Sequence, residues 1–283
     1  MIAVKNLAYT YPGSSQQVLH DLNFEINEGE IFGFLGPSGA GKTTTQKLLY
    51  RIIHNYQGEI LIKGKSLLEW GKEYLEQIGV GFELPNHYLK LSGKENLELF
   101  GAFYPKEKLR SLDELFEMVS LTDAMNQQVG NYSKGMKMRL NFIRAIMHNP
   151  DILFFDEPTA GLDPVNAHKI KQHILDLKKA GKTIFITTHN MNTADELCDR
   201  VSFIVDGQLR LTESPAILKH QHGRDVVKVE TTNAQMAEFA LEGLGKNPQF
   251  LNYLQQNEVL RINTLEATLE EVFIQVTGQA LKA

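Results

Sequence analysis

The chain has 283 residues, of which 42% are hydrophobic and 22% charged, with a net charge of −5 and one cysteine. That length suits one large domain with a small appendage and a core able to exclude water from a site, whereas the acidic balance argues against a broad nucleic-acid surface. A lone cysteine, Cys198, forms no internal disulfide, no apolar run approaches the ~20 residues of a membrane span, and no secretory leader opens the sequence, so a cytoplasmic location is expected.

In chain order, strands are predicted over residues 2–4, 22–26 and 31–35, with a turn at 27–30. A glycine loop follows at once. Helical spacing then runs through Leu48, Leu49, Ile52 and Ile53, and Gly58 opens a strand at 59–63. Strand, loop, helix and strand make the βαβ grammar of a parallel sheet, hence an α/β fold. Residues 85–150 read as an inserted helical subdomain, with apolar positions spaced by threes and fours at Leu97, Phe100 and Phe103, at Leu112, Leu115, Phe116 and Val119, and at Met136, Leu140, Ile143 and Met147. Strands return at 152–155, 183–187 and 201–205, the last joined through Asp206-Gly207 to 208–211 as a hairpin. A body of 1–219 is expected to end there, followed over 220–283 by a small α+β module built from 226–230, 234–241, 259–263 and 265–276.

Gly36-Pro37-Ser38-Gly39-Ala40-Gly41-Lys42-Thr43 fits the phosphate-loop pattern G-x-x-x-x-G-K-[ST], set between an apolar strand and a helix as that pattern requires. Backbone N–H groups from Gly39 to Thr44 can turn onto phosphates, with the helix dipole adding positive charge. Lys42 is expected to neutralise the β- and γ-phosphates of ATP, Thr43 to offer its hydroxyl to Mg²⁺, and Thr44 to contact a phosphate nearer the sugar. Residues 152–157 form a buried strand ending in two carboxylates, Asp156 for the Mg²⁺ and Glu157 to polarise the attacking water. Ser133 stands where the cap of the following helix belongs, at a helix N-terminus able to attract an anion. His220 and His222 have no metal-ligand pattern beside them and read as solvated.

Gly36 to Thr43, Asn131 to Met136, Ile152 to Glu157, Ala160-Gly161-Leu162-Asp163 and Thr188-His189 follow one another in the order and spacing of an ABC ATPase. From about residue 2 to 219 the chain resembles that family. The resemblance implies a P-loop NTPase fold with a mixed sheet core, an N-terminal antiparallel part and an inserted helical subdomain. It implies a homodimer that sandwiches two nucleotides head to tail, Ser133 and Gly135 contacting the γ-phosphate held by the second copy and Asp163 linking the two sites. His189 would hold the γ-phosphate and the attacking water, and Tyr11 would stack on adenine, with Tyr9 as its rival.

Two departures from the family pattern stand out. Glu83 occupies the loop position where the family usually has Gln, and an extra carboxylate there would ligate the metal or add repulsion near the γ-phosphate. Tyr132-Ser133-Lys134-Gly135-Met136 replaces the commoner Leu-Ser-Gly-Gly-Gln, keeping Ser133 and Gly135; Lys134 either lends charge to the γ-phosphate or is solvated. This form looks like the ATPase subunits of bacterial multidrug and antibiotic exporters. The expected partner is an integral-membrane permease, with the chain peripheral on the inner face of the membrane and no nucleic acid bound. The competing readings are a soluble ABC ATPase acting on ribosomes or DNA and a slow nucleotide switch, the latter opposed by the intact Lys42, Asp156, Glu157 and His189.

Overall fold

A computed structural model describes residues 1–223, 226–264 and 267–278. The chain folds as two compact units, the larger over Met1–Ser214 and the smaller beginning at Pro215. The larger unit contains, in order, β1 (Ile2–Thr10), β2 (Gln17–Ile26), β3 (Ile31–Leu35), α1 (Lys42–Leu49), β4 (Gln57–Ile62), β5 (Lys65–Ser66), α2 (Glu73–Gln77) and β6 (Ile78–Gly81). It continues with α3 (Gly93–Gly101), α4 (Leu112–Met118), α5 (Lys134–Ile146), β7 (Ile152–Asp156), α6 (Pro164–Lys179), β8 (Thr183–Thr188), α7 (Met191–Leu197), β9 (Arg200–Val205) and β10 (Gln208–Glu213).

Two sheets result, an antiparallel one in the order β2-β1-β4-β5 and a mixed one in the order β10-β9-β3-β8-β7-β6. Every residue of β3, β7 and β8 is buried. These strands are covered on both faces, which is why their sequences are nearly unbroken apolar runs rather than alternating ones. The antiparallel β9–β10 hairpin closes one edge through Asp206 and Gly207, both at positive φ (49° and 70°) as a tight two-residue turn demands.

Parallel register brings four strand ends together. Leu35 lies opposite Thr188, Asp156 opposite Thr187, and Gly81 opposite Phe155. The loops leaving β3, β8, β7 and β6 therefore emerge side by side at the carboxyl edge of the sheet, where open α/β sheets hold ligands.

The two sheets meet through aromatic rings. Phe24 of β2 stacks near Phe32 and Phe185 (centroids 5.9 and 6.2 Å) and meets Phe34 edge-on at 4.8 Å. Gly33, in the middle of β3, is required by close packing: a methyl group there would come within 2.7 Å of the Cys198 sulfur. Cys198 is a buried core residue whose thiol burial pushes up above its ordinary range.

Several elements differ from the sequence expectation. β1 and β2 are longer than 2–4 and 22–26, because their register shifts around Asn6 and Asp21, both at positive φ (50° and 54°), and the bulges erase the alternation a period-two reading needs. β6 escaped prediction because two of its four residues are glycine. α5 buries Met138, Asn141, Phe142 and Arg144 besides the predicted Leu140 and Ile143, since β6, α3 and α4 all pack against it.

The smaller unit comprises α8 (Pro215–His222), β11 (Val226–Thr231), β12 (Met236–Ala240), α9 (Pro248–Gln256), β13 (Val259–Thr264) and α10 (Leu269–Thr277), with an antiparallel sheet in the order β12-β11-β13. Val227, Val229 and Phe250 form its core, with Phe239, Tyr253 and Leu254 packed around them. Of the segment expected over 265–276, Leu265 and Glu266 lie outside the described residues; the helix starts after a Thr268–Glu271 capping box and closes at Gly278 with φ 69°.

Phe185 is fully buried at the centre of the aromatic contact between the sheets. Phe185→Ala should lower stability by about 3–5 kcal/mol in denaturant unfolding of the full chain, the cost of a lost aromatic plus its cavity.

Candidate nucleotide site

The loop after β3 carries no side-chain cap for α1: Gly41 occupies the cap position at φ 104° and Gly39 sits at φ 82°, conformations that glycine adopts without strain. A methyl group on Gly39 would meet nothing within 4 Å, so its backbone faces open space. The first turn of α1 thus presents unpaired N–H groups to the cleft. Lys42 is the first residue of α1, and its ammonium donates to the carbonyls of Gly36 and Pro37 at 2.6 and 3.0 Å. Burial lowers the Lys42 pKa, while the carboxylates of Glu157, Asp156 and Glu83 act to raise it.

Asp156 ends β7 and joins three elements: the Thr43 hydroxyl of α1 donates to its Oδ2 at 2.9 Å, and the Thr187 hydroxyl of β8 donates to its Oδ1. Gln46 adds a second tie from α1 to β7, its Nε2 donating to the Phe155 carbonyl at 3.1 Å. Glu157 has φ 50°, an unfavourable backbone for a residue with a Cβ, and is held by its N–H donating to the Thr187 carbonyl at 2.9 Å. Its Oε2 accepts from the Thr188 hydroxyl at 2.8 Å. Its Oε1 accepts from the His189 backbone N–H at 2.8 Å and from His189 Nδ1 at 2.5 Å. A carboxylate only accepts, so Nδ1 carries the proton and Nε2 is left for the cleft.

Ser38, Gly39, Gly41, Lys42, Thr43 and Thr44 line a cleft of about 240 Å³ together with Glu83, Asp156, Glu157 and His189. Gly36 and Pro37 lie behind the loop as acceptors for Lys42, and Ala40 is buried. Tyr11 is 37% exposed and its hydroxyl bonds the Thr44 hydroxyl at 3.0 Å, whereas Tyr9 is only 5% exposed behind it, edge-on at 5.0 Å. Among the described residues, no group of three or more His, Cys, Asp or Glu side chains is arranged to hold a metal ion by itself.

Ser133, Gly135 and Asp163 do not line this cleft. Ser133 caps α5, its hydroxyl accepting from the Met136 N–H at 3.2 Å, and Asp163 caps α6, accepting from the Asn166 backbone and side chain at 3.0 and 2.6 Å. The two caps are neighbours: the Lys134 stem lies against Gly161, and a methyl group on Gly135 would touch Leu162 at 3.5 Å.

Sequence reasoning gave no part to Gln46, Thr187, Asn141 or Arg144. Asn141 donates to the Phe82 carbonyl at 2.8 Å, and Arg144 donates to the Asn86 carbonyl at 2.9 Å and to Asn141 Oδ1 at 2.7 Å, fastening the loop that bears Glu83 to α5. Asn141 and Arg144 each follow a predicted core position of α5, Leu140 and Ile143, and their burial arises from the elements packed against that helix. His87, in the same loop, bonds the Lys137 carbonyl at 3.1 Å.

Residues 19–160 match the family model described as ABC transporter, and residues 225–266 match that described as the fluoroquinolone efflux ABC transporter C-terminal domain. A fluoroquinolones export ATP-binding protein of Mycobacterium tuberculosis (strain H37Rv) is 47% identical over 285 residues, covering 99% of this chain and 94% of that protein. The chain belongs to the ABC transporter family. It is an ABC ATPase and binds ATP. The bacitracin transport ATP-binding protein of Bacillus licheniformis is 32% identical over 97% of each chain. Among solved structures, an ATP-binding subunit of an ABC transporter aligns with TM-score 0.71 at 29% identity, over 78% of this chain and 92% of that one. A dimeric ATP-binding cassette in a post-hydrolysis state with ADP and Pi aligns with TM-score 0.68 at 28% identity, over 76% and 98%. The α/β P-loop fold, the ATPase assignment and the family expected from the motifs agree with these findings.

Burial first, then the Arg144 charge, push the His87 imidazole down to about 4. Its folded pKa lies below the ~6.5 of an unfolded histidine, so the unfolded chain binds the proton first as pH falls. Stability should therefore drop by roughly 2 kcal/mol between pH 7.5 and 5 on this account, and His87→Gln should remove that part of the pH dependence in denaturant titrations.

Proposed function

We propose that this ABC ATPase is the motor subunit of an exporter: two copies close head to tail over two Mg²⁺-ATP molecules and drive a separate integral-membrane permease from the inner face of the membrane. The observation that carries the reading is the division of the machinery. One cleft holds Lys42, Thr43, Asp156, Glu157 and His189, while Ser133 and Gly135 stand outside it. The cleft of about 240 Å³ is also smaller than the ~300–1,000 Å³ usual for a site that encloses its ligand. Both features support a half-site completed by Ser133 and Gly135 of a second copy. Among the described residues nothing requires glycine at 135, because a methyl group would make ordinary contacts there; close approach of a nucleotide from the partner gives it a reason.

In this reading the N–H groups from Gly39 to Thr44 bind the phosphates, Lys42 leaves its carbonyl partners for the β- and γ-phosphates, and Tyr11, the more exposed tyrosine, stacks on adenine. The Thr43 hydroxyl and the Asp156 carboxylate are adjacent hard oxygen donors. They fit a Mg²⁺ ion, which takes one or two protein oxygens together with phosphate oxygens and neutralises charge developing on them. Glu157 orients and polarises the water, and His189, fixed by Glu157 through Nδ1, holds the water and γ-phosphate through Nε2. Asp163 links the two sites across the dimer.

Among the described residues no helix is long and apolar enough to cross a membrane, so the transport path belongs to a partner in this reading. Kinship with a fluoroquinolones export protein along almost the whole chain supports fluoroquinolone-type drugs as cargo. Residues 1–219 are taken as the motor domain, with the helical subdomain at 85–150, and 220–283 as an accessory module.

Lys42→Ala should weaken ATP binding by about tenfold or more, from the loss of a charge held against phosphate. Glu157→Gln should bind ATP, lose roughly 10²–10⁴-fold in hydrolysis and run as a dimer in size exclusion with ATP. A Glu157→Gln chain that stays monomeric at saturating ATP would contradict the sandwich. Co-purification of the ATP-trapped chain from gently solubilised cells, followed by drug-efflux assays, tests the permease and the cargo.

A further inference from the structure

Building on the reading that ATP occupies this cleft, we propose that Glu83 is a charge gate that makes nucleotide binding depend on a divalent cation, repelling metal-free ATP and admitting the Mg²⁺ complex. Three carboxylates face the cleft, and two of them are committed. Asp156 accepts the hydroxyls of Thr43 and Thr187, and Glu157 accepts the Thr188 hydroxyl and both His189 donors. Glu83 is exposed and, among the described residues, has no hydrogen-bond or ion-pair partner, so its charge is open to whatever enters.

The cleft is acidic on balance. Lys42 is the one lysine or arginine among its lining residues, set against Glu83, Asp156 and Glu157. Glu83 lines the same cleft as Lys42 and, after Glu157 and Asp156, acts to raise the Lys42 pKa against burial, so its charge reaches that ammonium. A bare triphosphate brings several negative charges into this field, whereas a divalent cation cancels two of them before contact.

The backbone that carries Glu83 has little freedom to retreat. Asn141 holds the carbonyl of Phe82 and Arg144 that of Asn86, so the chain is pinned on both sides of Glu83. The Arg144 guanidinium lies over the Phe82 and Phe100 rings at 5.8 and 4.7 Å, and it donates to Asn141, which keeps both clasps together. Swinging the loop aside would break these bonds, so the backbone that carries Glu83 is held at the cleft while its carboxylate remains open to solvent.

The test is a fluorescence titration of the full chain with a fluorescent ATP analogue, in EDTA and in excess Mg²⁺, for wild type, Glu83→Gln, Glu83→Asp and Lys42→Ala. Glu83→Gln should bind the metal-free nucleotide about tenfold tighter than wild type, with Mg²⁺-nucleotide affinity changed by less than about threefold. Glu83→Asp, which keeps the charge, should keep the wild-type metal dependence, and the effect of Glu83→Gln should shrink as salt screens the exposed carboxylate. Unchanged metal-free affinity in Glu83→Gln, or a loss of Mg²⁺-nucleotide affinity beyond about tenfold, would overturn the gate. If Lys42→Ala left the affinity of both forms untouched, the assignment of ATP to this cleft would fall instead, and the gate with it.

Discussion

Asp156 is the joint on which the cleft depends. Its two oxygens receive the hydroxyls of Thr43 from α1 and Thr187 from β8, so one carboxylate at the end of β7 locks the phosphate loop to the neighbouring strand end. The bridge works because parallel register sets Asp156 directly beside Thr187 and Leu35 beside Thr188. A slip of one residue in either pairing would turn the side chains to the opposite face and leave Thr43 without its partner. The buried polar groups along this edge would then lose their hydrogen bonds, which is far more costly than the loss of apolar contact alone.

Rigidity is concentrated at the next residue. Glu157 adopts φ 50°, a conformation that costs of order 1–2 kcal/mol for a residue with a Cβ. Its backbone bond to Thr187 and the side-chain bonds from Thr188 and His189 offset that cost and leave its carboxylate in one position. The same bonds fix the histidine ring. A carboxylate held in this way before a ligand arrives has less orientational entropy to lose when one binds.

Helix α5 supports the loop that carries Glu83. It is capped by Ser133, one side of the separate cap cluster, and two turns later its Asn141 and Arg144 grip the loop that carries Glu83. A polar pair on the buried face of a helix is costly unless fully bonded. Here it is bonded to loop carbonyls that have no strand to pair with, so the helix supplies the structure that the loop lacks.

Much of the chemistry was legible in the residue order. The phosphate loop needs only local sequence, because glycine at positive φ followed by a helix N-terminus makes an anion cradle wherever it is embedded. The buried strand ending in Asp156 and Glu157 is equally local, since a strand covered on both faces must be apolar throughout. What residue spacing could not give was everything that depends on which strands are neighbours. The order β3-β8-β7-β6 decides that Glu83, Asp156 and His189 share one cleft with Lys42, and bulges at Asn6 and Asp21 conceal the true length of β1 and β2. The commitment of Asp156 and Glu157 to threonine hydroxyls, the burial of Tyr9 and the clasp of Asn141 and Arg144 on the Glu83 loop likewise arise from contacts between residues distant in sequence. Local sequence sets backbone preference and apolar pattern; only the packed sheet sets which polar atoms face each other and which are left free.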